Sequence, residues 1–151
     1  MIDLSLKLSE HFTLEEGTIT EHRNIPNIPS DDILEAMKKF AHEILEHTRE
    51  LIGPMRVNSF YRCIELNKII GGSIDSAHTY GVACDFMPLS IRIDTAFNIL
   101  SKSSVDYDQL IDEHAGQRYW LHIGGLRPDH VEKYPRKQLW VYVNGNYSRI
   151  N

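Results

Sequence analysis

The chain has 151 residues, of which 42% are hydrophobic and 25% charged, and its formal net charge at pH 7 is -5. This length and composition are typical of one globular domain with a single core. The acidic balance argues against a nucleic-acid-binding protein, which would usually carry an excess of Lys and Arg.

The N-terminal residues are not expected to form a secretory signal, because Asp3, Ser5 and Lys7 interrupt the leucines. No segment approaches the ~18 consecutive apolar residues that a transmembrane helix requires. We therefore expect synthesis in a cytoplasm without a signal peptide, no membrane insertion, and a monomer. Cys63 and Cys84 are too few for a disulfide scaffold, so each is expected to pack as a small hydrophobe.

The first half of the chain begins with residues 1–30, which are predicted to form an arm laid across the domain. Ser30 then supplies an N-cap, and the apolar residues from Ile33 to Leu51 recur at helical spacing. This pattern predicts one long amphipathic helix, which Gly53-Pro54 ends.

The middle of the chain is predicted to alternate between short strands and helices. The predicted elements are a strand over Met55–Tyr61, a short helix over Ile64–Ile70, a strand over Val82–Met87 and a second amphipathic helix over Ile91–Ser101.

The last third of the chain is predicted to be mostly strand. The apolar or alternating segments are Tyr107–Ile111, Tyr119–Ile123 and Leu139–Val143, and Asn144-Gly145 predicts a closing hairpin turn. The expected fold is a single α+β domain in which helices cover one face of a mainly antiparallel sheet and the other face carries a site. Residues 31–126 would form the core and residues 127–151 a C-terminal hairpin.

One segment concentrates side chains that can bind a metal: Ser76-Ala77-His78-Thr79-Tyr80-Gly81-Val82-Ala83-Cys84-Asp85. A further histidine follows in Trp120-Leu121-His122. Alternation along the strand turns Asp85 toward a site and Cys84 toward the core. Two imidazoles and a carboxylate are a common ligand set for hydrolytic zinc, because three protein ligands leave one tetrahedral position open.

The pattern Ser-x-His-x-x-Gly-x-Ala-x-Asp, followed by Trp-x-His, resembles the signature of the zinc D-alanyl-D-alanine carboxypeptidases. Vancomycin-resistance dipeptidases and phage cell-wall peptidases are related to that family. Three further segments share the resemblance, which covers roughly residues 5–126: Leu8–Glu16, Val57–Lys68 and Tyr107–Glu113. The resemblance implies a fold similar to these peptidases and to hedgehog domains, with one zinc ion per chain held by His78, Asp85 and His122.

Three more residues are expected to bind substrate. The resemblance gives Arg62, in its Tyr-Arg pair, the role of gripping a substrate carboxylate through two parallel hydrogen bonds. Trp120 shares a strand face with His122 and would form a wall of the cleft. Ser76 is expected to hold the ligand turn or to donate to substrate.

The general base is where the sequence departs from the pattern. Several family members have a glutamate three positions before the last histidine ligand, whereas this chain has Tyr119 there. In the short phage-type members the acid follows Asp-Gln-Leu-Ile instead, which predicts Glu113 as the base. Asp112 and Asp108 remain alternatives, and alternation makes Asp112 face away from Glu113.

The resemblance predicts zinc-assisted hydrolysis of an amide bond in the peptide part of bacterial peptidoglycan. The chain would be a phage or prophage protein that acts on the cell wall after release or delivery. Carboxypeptidase cleavage of D-Ala-D-Ala, endopeptidase cleavage of a cross-link and cleavage of L-Ala-D-Glu all remain open. The alternative, which Tyr119 favours, is a catalytically inactive zinc-containing module that binds wall peptides or a protein partner.

Overall fold

A six-stranded sheet forms the centre of the structure, a computed structural model that describes residues 3–151. Its strands are β1 (Met55–Ser59), β2 (Ala83–Pro88), β3 (Gln109–Ala115), β4 (Arg118–Gly124), β5 (Gln138–Val143) and β6 (Asn146–Arg149). They lie in the order β1-β2-β4-β3-β5-β6, and each neighbouring pair is antiparallel except β3 and β5, which are parallel. The predicted α+β class with a mainly antiparallel sheet is confirmed.

The helices are α1 (Leu14–Gly17), α2 (Asp31–Phe40), α3 (Glu46–Ile52), α4 (Ile64–Ile69) and α5 (Ile93–Ser101). Helices α2 and α3 are two parts of the predicted long helix, joined by a π-helical turn over Ala41–Leu45. Ser30 caps its start as predicted, and Gly53 ends it with a φ of 80°. No helix within residues 3–151 has both the length and the apolar character that a membrane span needs.

The core lies between the helices and one face of the sheet. Phe86, Leu110 and Leu121 project to this face from three adjacent strands and are fully buried. Alternation therefore turns their neighbours Asp85 and His122 to the opposite face, as the sequence predicted for β2.

The N-terminal segment packs into the same core. Leu8, Phe12 and Leu14 are each at most 2% exposed, and the backbone N–H of Tyr61 donates to the carbonyl of Gly17. Residues 1 and 2 of the predicted arm lie outside the described residues.

Two predicted strands differ from those in the structure by more than one residue at an end. The first ends at Ser59 rather than Tyr61; the backbone N–H groups of Tyr61 and Arg62 donate to the carbonyls of Gly17 and His78, which lie outside the sheet. The strand predicted over Tyr107–Ile111 begins at Gln109 and continues to Ala115. Tyr107 is instead a buried core residue at the entry to this strand.

Candidate metal centre

Three elements bring the predicted ligands together. His78 lies on a 3₁₀ turn over Ala77–Tyr80, and Asp85 and His122 lie directly opposite each other on β2 and β4. Gly81 ends the turn in the left-handed region with a φ of 69°. A Cβ at this position would lie 2.6 Å from Cγ of Met37, so a side chain here would be excluded by helix α2 as well.

The ligand atoms have a spacing that suits a small tetrahedral ion. Nε2 of His78 lies 3.2 Å from Oδ1 of Asp85 and 3.2 Å from Nδ1 of His122, and that Nδ1 lies 2.8 Å from the same oxygen. Ligands 2.0–2.1 Å from a tetrahedral zinc would be separated by about 3.3 Å. All three side chains are buried, and their chemistry matches the zinc ligands of hydrolytic sites. The residues therefore fit zinc.

Hydrogen bonding and burial also put the ligands in the protonation states that a metal requires. The carbonyl of Phe60 lies 2.6 Å from Nδ1 of His78 and can only accept, so Nδ1 carries the proton and leaves the Nε2 lone pair free. Burial lowers the pKa of His78 and so favours neutral imidazole. For Asp85, burial would raise the pKa, but His78 and His122 together hold it well below its ordinary value.

Arg62 contacts the outer side of this ligand set. Its Nη2 donates to Oδ2 of Asp85, the oxygen turned away from the histidines, and its Nε donates to the hydroxyl of Ser59 at 2.8 Å. The sequence predicted that Arg62 grips substrate, and the contact of Arg62 with a ligand carboxylate was not anticipated. The two residues are 23 positions apart in the chain, so no local sequence pattern predicts this contact.

A cavity of about 820 Å³ opens over the three ligands. Each of the other predicted site residues also lines it: Arg62, Ser76, Glu113 and Trp120. Tyr119 does not line this cavity; its ring packs edge-on against His114, with ring centroids 4.8 Å apart. Position 119, where several family members have a glutamate, therefore lies outside the cavity. Tyr119 at this position does not deprive the cavity of a carboxylate.

Glu113 supplies the cavity with an acidic group in addition to the ligand Asp85. It lies on β3 directly opposite Trp120, and burial raises its pKa to about 7. His122 and Arg62 act against this rise, and the charge of Asp85 adds to it. A carboxyl group with such a pKa can both accept and release a proton near neutral pH.

The two alternative bases are held by other groups. Asp112 accepts a hydrogen bond from Nε2 of His114 at 2.9 Å, on the face of β3 opposite to Glu113. Asp108 lines the cavity but is 4% exposed and bound by Arg136 through both carboxylate oxygens. Burial alone would raise the pKa of Asp108, but Arg136 lowers it.

Two aromatic residues of the cavity were not anticipated from the sequence. Trp140 of β5 and Tyr147 of β6 line it beside Glu113. Trp140 lies opposite Ile111, which lies opposite His122, so the three share the site face. The alternating segment Leu-Trp-Val-Tyr-Val predicted the strand β5. It could not identify β3 as the neighbouring strand.

Comparison with known protein families gives a match over most of the chain. A family model described as Peptidase M15 matches residues 10–123, about three quarters of the chain. The matched stretch contains His78, Asp85, His122 and Glu113 and ends before β5 and β6. A search of curated proteins finds none that matches.

Proposed function

Because the chain belongs to the Peptidase M15 family of zinc-dependent peptidases, we propose that it hydrolyses an amide bond in the peptide part of bacterial peptidoglycan. His78, Asp85 and His122 would hold one zinc ion per chain. The observation that carries the proposal is one cavity in which these three side chains meet a carboxyl group with a pKa of about 7.

Zinc held by these three residues would supply Lewis acidity, which would polarise the scissile carbonyl and make a water molecule more acidic. Glu113 accepts a proton from the attacking water as the water oxygen forms a bond to the carbonyl carbon. The same carboxyl group then donates that proton to the leaving amine as the C–N bond breaks. General acid–base catalysis of this kind is worth roughly 10²–10⁴-fold in rate.

Arg62 acts at two points. Its bond to Oδ2 of Asp85 fixes the carboxylate so that Oδ1 faces the two histidines. The guanidinium also lines the cavity, where its remaining donors can stabilise negative charge on the substrate. Trp120 and Ser76 contact the substrate from the walls of the cavity.

We extend the proposal to the context that the sequence suggested. The protein would be a monomer of phage or prophage origin that reaches the wall after release or delivery. The catalytically inactive binding module remains the alternative outcome of the test below. The presence of Glu113 in the cavity favours the enzyme.

The test compares hydrolysis of purified peptidoglycan and short muropeptides by wild type, Glu113→Gln and Asp112→Asn, with metal content measured on all three. Asp112→Asn is the matched control, because it removes the neighbouring carboxylate from the opposite face of β3. We expect Glu113→Gln to retain zinc and lose roughly 10²–10⁴-fold in kcat. Asp112→Asn should retain both zinc and activity. The masses of the products identify the bond that is cut.

If wild type holds stoichiometric zinc but releases no product, the proposal of a peptidase is wrong and the binding module takes its place. Equal losses of activity in both variants would leave the peptidase intact but remove Glu113 from its role as the base.

A further inference from the structure

A second cavity, of about 1150 Å³, adjoins the first. Arg62, Asp85 and Trp120 line both cavities, so the metal centre lies where the two meet. A substrate at the metal centre can therefore extend into space on both sides of the scissile bond.

We propose that the second cavity is an arginine subsite, defined by Arg23, Arg56 and Arg118, that binds a carboxylate-bearing part of the substrate away from the scissile bond. The inference rests on the proposed function. It adds to that function a preference for acidic peptides and an extended mode of binding.

The strand register turns two of these arginines toward the site face of the sheet. Arg56 on β1 lies opposite Met87, which is two residues beyond Asp85 on β2 and so shares its face. Arg118 lies two residues before Trp120 on β4 and shares the face of that residue. Arg23 reaches the same cavity from the loop between α1 and α2.

The strand spacing sets the distance between the subsite and the reacting bond. One strand step of ~4.8 Å across the sheet and two residues along it separate the Cα atoms of Arg56 and Asp85 by about 8 Å. An extended peptide spans this distance in two to three residues. A carboxylate bound by Arg56 would therefore belong to a residue two or three positions from the one that is cut.

The three guanidinium groups are available to a ligand. Within residues 3–151, no carboxylate lies within 4.0 Å of the side-chain nitrogens of Arg23, Arg56 or Arg118. Arg56 uses only its Nε, in a 3.3 Å bond to the side chain of Asn58, which leaves its terminal nitrogens free.

The charge of this surface contrasts with that of the whole chain. The formal net charge is -5, yet among residues 3–151 Glu21 is the one acidic residue lining the second cavity besides the ligand Asp85. Arginine binds carboxylates through two parallel hydrogen bonds, and wall peptides carry several carboxylates. A mildly acidic protein needs such a local basic surface to hold an acidic substrate.

The test uses the zinc-loaded full chain and pairs of wall peptides that are identical except that their side-chain carboxylates are free or amidated. We expect wild type to prefer the free acids in kcat/KM by on the order of tenfold, since two exposed ion pairs each contribute a modest factor. The double variant Arg56→Gln/Arg118→Gln should lose this preference through KM. Arg92→Gln is the matched control, because Arg92 is ion-paired with Asp94 and lines neither cavity.

Binding of the same peptides to zinc-loaded Glu113→Gln protein, with and without the arginine substitutions, gives a readout that does not depend on catalysis. Raised salt should weaken only the free-acid peptides. The inference is wrong if wild type does not distinguish the two peptides or if the double variant keeps the preference. Either result leaves the proposed function standing as long as purified wall is cut.

Discussion

The Glu113→Gln substitution should stabilise the metal-free protein at alkaline pH, because the wild-type carboxyl group is costly to ionise in its buried place. Its pKa rises from 4.5 to about 7 on folding. The folded state therefore holds the proton more tightly than the unfolded state. The contribution of this group to wild-type stability is fully present below pH 4.5 and is lost as pH increases through about 7.

The pKa difference sets the size of this effect. At about 1.4 kcal/mol per pH unit, it corresponds to about 3 kcal/mol of unfolding free energy at pH 8. The side chain keeps some contact with solvent, so a gain of about 2–3 kcal/mol is expected for the variant. At pH 5, where the unfolded chain is only partly ionised at this residue, the gain should shrink to about 1 kcal/mol.

Urea unfolding of chelator-treated wild type and variant at pH 5 and pH 8 measures the two differences. Glu50→Gln serves as the control, because Glu50 is an exposed carboxylate on α3. A variant that is no more stable than wild type at pH 8, or that gains equally at both pH values, would refute a buried, costly carboxylate at Glu113.

Three further substitutions test other parts of the structure. His122→Ala should abolish stoichiometric zinc by metal analysis, whereas exposed His42→Ala should retain it. Gly81→Ala should lower the unfolding free energy by about 2–4 kcal/mol in urea, because both its φ and its space exclude a side chain. Gly116→Ala, at a φ of 62° with no atom within 4 Å, should cost only about 1 kcal/mol. Asp108→Asn leaves a part-buried guanidinium uncompensated and should cost about 3 kcal/mol in thermal unfolding; a loss below ~1 kcal/mol would contradict that pairing.

The parts of the structure that the sequence predicted depend on short stretches of chain. The turn that holds His78, the strand that turns Asp85 away from the core and the capped start of the long helix each arise from neighbouring residues. The hairpin turn is of the same kind, since Asn144 and Gly145 both have positive φ, as that pair favours.

The parts that it did not predict depend on which segments meet in space. Periodicity cannot reveal the π-helical turn over Ala41–Leu45, because apolar spacing changes little over one such turn. Nothing local specifies that β5 pairs in parallel with β3, so Trp140 could not be assigned to the cavity. The bond between Arg62 and Asp85 joins residues 23 positions apart, so it depends on how the segment after β1 packs against β2.

The parallel pairing of β5 with β3 gives the C-terminal hairpin a part in setting the acidity of the cavity. Glu113 lies between Trp120 on β4 and Tyr142 on β5, and only the first of these belongs to the stretch that the family model matches. The hairpin keeps water from one side of this carboxyl group. Two chains with the same metal-binding motif and different hairpins would therefore have different pH optima, so the working pH can diverge while every ligand stays the same.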